Sequence, residues 1–383
     1  MEKILFALLA QQICGKSLTP EVRVALTPEN RQRLFKIASV HDLGHLVGQA
    51  LEAAGITEEM EGFRQLMQRG VFRYISLDHA YTQACALLEA EKIPFIPLKG
   101  SVLRAYYPEP WMRASCDIDI LVRDSDFPRA KKLLEEKQGY REKEHTDHDS
   151  SFLSPGGVCL ELHYDTITER YADDAKLKIL GKIWDTARPV QPGAYRHEMP
   201  DDMFYFYHMA HMAKHFETGG CGIRPFLDIW VLNNRVTFDK AAREALLAKG
   251  GLTAFARGME NVTSYWLADG EAGRLSLQVT DFILRGGVFG TYENRAAVGQ
   301  AKSGGGLRYF ITQRLFAPYD ALKCDYPILR KYKILMPFYQ IVRWVSMFRR
   351  GELRARMAEA KTNAGTTRES RDSAAQMLKD LGI

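Results

Sequence analysis

The sequence contains no Cys-x-x-Cys pair; its six cysteines, at positions 14, 85, 116, 159, 221 and 324, are scattered along the chain. Such spacing suggests neither a disulfide framework nor a zinc ribbon, and a reducing, cytoplasmic setting is expected. No apolar run reaches the roughly 18 to 20 residues that a membrane-spanning helix requires. The apolar start, Ile4 to Ala10, is short and passes into Gln11-Gln12 without a small-x-small cleavage site, so a secretory leader is not expected. Nor does one sign of charge dominate. The net charge of +5 is compatible with nucleotide or nucleic-acid partners and argues for neither.

Two further absences narrow the chemistry. Gly15-Lys16-Ser17 has no glycine at the required upstream position, and the glycine-rich stretch Gly286 to Arg295 lacks a Gly-Lys-Ser/Thr ending, so neither is a P-loop. His41-Asp42-Leu43-Gly44-His45 spaces two histidines like a zinc-protease helix, but has aspartate where that pattern needs glutamate; ordinary helix histidines are expected. At 383 residues the chain is long enough for about two or three domains with a substantial core.

What is present concentrates between Pro94 and Val122. An apolar strand stops at Gly100-Ser101, a loop with two prolines and Arg113 follows, and Asp117-Ile118-Asp119 opens a second apolar run. Side chains alternate faces along a strand, so Asp117 and Asp119 point to one side and Ile118 and Ile120 to the other. Two adjacent carboxylates resist ionising unless positive charge lies between them, and a divalent cation supplies it. Magnesium is held by one or two protein carboxylates and completes its shell with water and substrate phosphates. Upstream, the Gly100-Ser101 turn leads into a short helix-like segment, Val102 to Tyr107, whose first amides can hold phosphate oxygens. Together these features describe a nucleoside triphosphate site.

The sequence Leu98-Lys99-Gly100-Ser101, followed by Arg113 and by Asp117-Ile118-Asp119-Ile120-Leu121-Val122, resembles the polymerase-β-like nucleotidyltransferases, and in particular an uncharacterised bacterial nucleotidyltransferase family. Here a lysine precedes the glycine, and fifteen residues separate Ser101 from Asp117, a longer spacer than is usual in the wider superfamily. The resemblance implies a third metal-binding carboxylate on a later strand, and Glu161 in Val158-Cys159-Leu160-Glu161-Leu162-His163 matches it. Glu161, His163 and Asp165 share one face by the strand period, with His163 expected at the rim. The alternative is a solvated Glu161 on an edge strand.

The resemblance further implies a histidine-rich helix followed by an Arg-Pro-x-x-Asp-like segment. The helix starts at Asp201 and places His208, His211 and His215 on one face, a set that one straight helix rarely turns into a tetrahedral zinc site. With Arg224 and Asp228, His211 and His215 are candidates for lining the cleft and holding phosphates or the acceptor. The alternative is that Arg224 and Asp228 pair structurally while the histidines pack.

Elsewhere the pattern is helical. Thr19-Pro20-Glu21 and Thr27-Pro28-Glu29 read as capped helix starts, and Thr57-Glu58-Glu59 as a third, launching an amphipathic stretch through Phe63, Leu77, Ala84 and Leu88 that should pack on the sheet. Asp124-Ser125-Asp126 reads as the cap of a helix from Phe127 to about Lys137, ended by Gly139. Strands are expected at 140–145, 152–153 and 158–164. Residues 164–200 read as a connection, and Lys302 to Gly306 as a loop. In Leu315 to Arg350, basic and aromatic residues mix; core aromatics with a solvated basic rim are expected over a nucleic-acid or anionic-membrane face. Ala374 to Ile383 reads as a short docking helix.

The expected architecture is α/β of the α+β kind, a small mixed sheet flanked by helices. Its parts are a helical region (1–92), a catalytic core (93–188), a C-terminal helical domain (189–350) and a polar tail (351–383). The expected function is metal-dependent transfer of a nucleoside monophosphate from an NTP, ATP foremost, to a hydroxyl on a small molecule, protein or RNA. Asp117, Asp119 and Glu161 would hold Mg2+ or Mn2+, and Lys99, Gly100, Ser101 and Arg113 the nucleotide. His163, His211, His215, Arg224 and Asp228 would contact acceptor or phosphate. The rival readings are a catalytically silent nucleotide-binding regulator or scaffold of the same fold, and a partner-binding helical protein in which the Asp-x-Asp strand is incidental.

Overall fold

A computed structural model describes residues 1–166, 173–288, 290–349 and 353–383. Residues 167–172 of the expected connection, Phe289 in the glycine-rich stretch, Arg350 at the end of the basic aromatic stretch and residues 351–352 at the start of the tail lie outside the described residues. The chain opens with five helices: α1 (Glu2–Cys14), α2 (Pro20–Val24), α3 (Pro28–Val40), α4 (Gly44–Ala53) and α5 (Glu61–Ala90). Thr19 and Thr27 accept from the amides of Val22 and Asn30, each ahead of a proline in the first turn. Thr57 does not cap: Glu59 takes a left-handed conformation (φ 57°) and delays the long helix to Glu61. His41 and His45 fall on either side of the break between α3 and α4, and both are buried; the His45 Nε2–H donates to Met112 O at 3.1 Å.

The two halves of α5 pack differently. Leu77, Ala80, Ala84 and Leu88 cover the sheet as expected, whereas Phe63 and its neighbours pack against α4. That second contact is close because α4 offers glycine. A Cβ on Gly44 would stand 2.3 Å from Leu66 Cδ1 and 3.1 Å from its Cβ. Gly44→Ala is therefore expected to cost about 1–3 kcal/mol through overpacking, read as a lowered thermal midpoint.

The sheet follows. In chain order come β1 (Phe95–Pro97), the one-turn helix α6 (Gly100–Leu103), β2 (Asp117–Val122), α7 (Phe127–Gln138), β3 (Arg141–His145), β4 (Asp149–Leu153) and β5 (Cys159–His163). Spatial order is β1-β2-β5-β4-β3, with β2 and β5 parallel and the other pairs antiparallel. This is the expected mixed sheet flanked by helices. Asp126 gives α7 no side-chain cap, while Gly139 ends that helix in the left-handed conformation as expected.

Ile118, Ile120, Val122, Leu160 and Leu162 enter a core shared with α5 and α7. By alternation Asp117, Asp119, Glu161 and His163 emerge on the opposite face. A second, larger core covers that side, formed by α1, α3, α4 and later helices. The expected connection 164–200 carries α8 (Asp174–Leu180), α9 (Ile183–Thr186) and a small hairpin, β6 (Arg188–Pro189) and β7 (His197–Glu198), beside β1.

Next come α10 (Asp201–Glu217), α11 (Arg224–Arg235), α12 (Lys240–Lys249), α13 (Thr253–Leu267), α14 (Arg274–Leu284) and α15 (Tyr292–Ser303). Gly304 closes α15 at φ 76°. The helix Met336–Arg349 meets the expectation in part: Met336 and Tyr339 pack on a small core of Ala317, Leu322 and Leu329, whereas Phe338, Ile341, Val345 and Phe348 are exposed. The last helix, Arg368–Leu381, docks through Ala374, Met377, Leu378 and Leu381. Among the described residues, no helix is long and apolar enough to cross a membrane.

Candidate functional site

The parallel pairing of β2 with β5 sets Asp119 directly beside Glu161. The edge strand contributes next. Leu98 N–H donates to Asp119 O at 3.0 Å, and the chain then turns sharply through Lys99, whose backbone is held at φ 44°, ψ −120°. A lysine pays steric strain in that region, so the surrounding structure must hold the turn in place. It delivers the Lys99 ammonium to Asp119 Oδ1 at 2.7 Å and to Glu161 Oε2 at 3.9 Å. Gly100 follows without a side chain because a Cβ there would stand 3.1 Å from Ser115 Oγ and 3.4 Å from Arg113 Nη1. The helix thus begins at Gly100, two residues before the expected Val102.

His163 closes the group from β5. Its Nε2 lies 3.0 Å from Asp119 Oδ1 and 3.5 Å from Glu161 Oε2. It is buried, not at the rim, since β4 pairs alongside and brings Asp149 opposite it. Burial alone would discharge the imidazole, but hydrogen bonds to Asp119 and Glu161 prevail and raise it to about 9. Burial likewise opposes charge on Asp119, yet Lys99 and His163 hold it well below the usual carboxylate range. Asp117 takes the other course: burial, with Asp119's charge nearby, raises it to about 6. The two aspartates, alike in sequence, differ because Lys99 and His163 both attend Asp119.

These groups open on a cavity of about 340 Å³. Its lining combines Asp117, Asp119, Asp149 and Glu161 with Lys99, Arg113, Lys214 and Arg224, and with His211 and His215. Burial, then the charges of Lys99 and Lys214, lower His215 to about 4, and His211 is pushed well below its ordinary value. Both are neutral rings, in contact at 4.5 Å between centroids. His208 instead donates to Pro225 O at 3.2 Å.

Gly100 lies on the cavity wall, whereas Ser101 Oγ is buried and has no hydrogen-bond partner among the described residues. Arg113 also reaches the wall, but its Nε and Nη2 bind Asp228 at 2.8 and 2.9 Å and its Nη1 donates to Ala114 O. The alternative pairing of Arg224 with Asp228 is corrected. Asp228 is taken by Arg113 and Tyr107, while Arg224 donates to Ala114 O at 2.6 Å. Asp165 lies past the end of β5, where its carboxylate accepts from the Thr166 amide.

Sequence reasoning missed His148 and Asp149, both on the cavity wall. The signal available was the run Thr146-Asp147-His148-Asp149 ahead of a short apolar strand; β4 begins at Asp149, three residues before the expected Phe152.

The donors suit a divalent cation. Asp119, Glu161 and His163 offer ligand atoms within 4.8 Å of one another, and Asp117 emerges on the same face. A lysine ammonium already rests on Asp119, a sign that the position attracts positive charge. The carboxylates supply the hard oxygen ligands that magnesium and manganese favour.

A family model described as uncharacterised nucleotidyltransferase matches residues 27–268, from α3 to the end of α13. No curated protein and no solved structure matches.

Proposed function

The chain belongs to the uncharacterised nucleotidyltransferase family, and from that premise we propose that it transfers a nucleoside monophosphate from an NTP to a hydroxyl-bearing acceptor, with release of pyrophosphate and with the help of a divalent metal. NTP-dependent transfer comes with the family. The metal, the donor base and the acceptor are the finer reading. The observation that carries it is the register of Asp119 beside Glu161, at a cavity that Lys99, Lys214 and Arg224 also line.

In this reading Asp117, Asp119 and Glu161 hold Mg2+ or Mn2+. When bound, the cation supplies charge neutralisation at the triphosphate and stabilisation of the in-line displacement at the α-phosphorus. Lys99 and the Gly100 amide face the triphosphate tail, and Lys99 offsets charge on the departing pyrophosphate. Glu161, the most solvent-accessible partner of the Asp119 cluster, accepts the proton of the attacking hydroxyl. Arg113 lines the cavity while fixed by Asp228. His211, His215 and Arg224 line the side where an acceptor enters, and ATP is the expected donor.

The test is calorimetric titration of ATP, GTP, CTP and UTP with and without Mg2+, repeated on the Asp117→Ala/Asp119→Ala double variant. Metal-dependent binding of one nucleotide, lost in the variant, is the expected result. The contact of Lys99 with Asp119 favours a second reading, a nucleotide-binding regulator without turnover in which the ammonium permanently takes the cation's place. Nucleotide binding that is indifferent to Mg2+ would select it.

A further inference from the structure

We propose that His148, Asp149 and His163 form a second metal site, shaped for a tetrahedral transition-metal ion of the zinc class and separate from the carboxylates of Asp117, Asp119 and Glu161. Its ligand atoms lie within 4.8 Å of one another. The shape follows from hydrogen bonding outside the cluster. His163 Nε2–H donates to Asp119 Oδ1 at 3.0 Å, which leaves Nδ1 as the ring nitrogen that faces Asp149 Oδ2 at 3.8 Å. Among the described residues that nitrogen, buried in a residue only 3% exposed, has no hydrogen-bond partner.

His148 is arranged the same way. Its Nδ1 lies 2.9 Å from Thr146 Oγ1 and 3.1 Å from Asp147 Oδ1, and Thr146 Oγ1 in turn donates to Asp149 Oδ1 at 2.7 Å. The proton therefore sits on Nδ1, and Nε2 presents its lone pair to Asp149 Oδ2 at 3.3 Å. Two imidazole nitrogens thus converge on one carboxylate oxygen, the arrangement that the ligands of a single metal ion take. Metal-bound histidines are characteristically oriented by a carboxylate on the other ring nitrogen, the role Asp119 and Asp147 fill here.

The spacing also fits. Two ligands of a tetrahedral ion at about 2.1 Å stand about 3.4 Å apart, close to the 3.3 and 3.8 Å found. Two nitrogens and one oxygen suit zinc or a neighbouring transition metal better than magnesium. All three residues line the cavity, so the fourth position faces it. The site does not depend on nucleotide transfer, but His163 links it to Asp119.

The probe is Co2+, then Zn2+, added to the metal-stripped chain of 383 residues. The expected result is one equivalent of Co2+ with the strong visible absorption of a tetrahedral ion, displaced by Zn2+ and untouched by excess Mg2+. His148→Ala and Asp149→Asn should each weaken Zn2+ binding at least about 100-fold and Asp147→Asn about 10-fold, while Asp117→Ala retains it. His148→Cys, a replacement that keeps a ligand, should add a thiolate-to-cobalt band in the near ultraviolet. Absence of one-equivalent binding, loss of binding in Asp117→Ala, or undiminished binding in His148→Ala would each overturn the proposal. A protein that binds no nucleotide yet takes Zn2+ here separates this inference from the proposed function.

Discussion

Asp119→Asn is expected to reduce nucleotidyl transfer by about 10³-fold or more, the scale on which removal of a key electrostatic partner acts in a desolvated site. The measurement is transfer of label from the α-phosphate of the NTP that calorimetry selects. Asparagine keeps the shape and one carbonyl oxygen, so His163 Nε2–H retains an acceptor. What disappears is the charge. Asp119 carries it firmly, because Lys99 and His163 outweigh burial and keep it ionised at every physiological pH. The neighbour does not substitute: Asp117, raised to about 6 by burial and by Asp119's charge, ionises more readily in the variant, but it lies beside Cys159 and not beside Glu161.

Losing that charge also releases Lys99, which is partly exposed at 23% and can turn toward the cavity. The fold should therefore survive, with a thermal midpoint within a few degrees of the parent. Full transfer activity in Asp119→Asn would end the metal assignment. Loss of activity together with unfolding would be answered by Asp117→Asn, which is expected to lose transfer without disturbing the Lys99 contact.

The central strand was legible because its signal is local. A period of two places Asp117 and Asp119 on one face, and the same period on Cys159–His163 places Glu161 with them once the strands are adjacent. What the sequence could not convey is which strands are adjacent on the far side. Burial of His163 depends on the register that sets Asp149 opposite it, and nothing near residue 163 encodes that. The Lys99 turn is hidden for another reason: positive φ at a lysine contradicts local preference and is imposed by tertiary structure. In the helix Met336–Arg349, periodicity correctly shows an apolar face, but cannot show whether the chain covers it; here Phe338 and Phe348 remain exposed.

Asp228→Ala should cost about 3–5 kcal/mol of stability, the scale for stripping one partner from a buried ion pair. Asp228 is fully buried and receives two parallel hydrogen bonds from Arg113, at 2.8 and 2.9 Å, and a third from Tyr107 at 2.7 Å. These contacts tie α11 to the loop that leads into β2, so they hold the helical body against the strand that carries Asp117 and Asp119. Truncation leaves a guanidinium with 12% of its side chain exposed and no counterion. Urea denaturation of Asp228→Ala, Arg113→Ala and the double variant tests this, and the double variant should cost much less than the sum of the single ones.

The pH dependence has a defined sign. Burial alone would raise the Asp228 carboxyl, but Arg113 holds it below the ordinary value. The pair's contribution is thus complete above the unfolded carboxyl's pKa of about 3.9 and is lost as pH falls through the lower folded value. The gap between parent and Asp228→Ala should be constant near neutrality and close in acid. Additive losses at pH 7, or a gap that widens in acid, would mean that Arg113 is not balanced by Asp228. The guanidinium would then be available to phosphate, and nucleotide affinity, measured per folded molecule, should fall in Arg113→Ala.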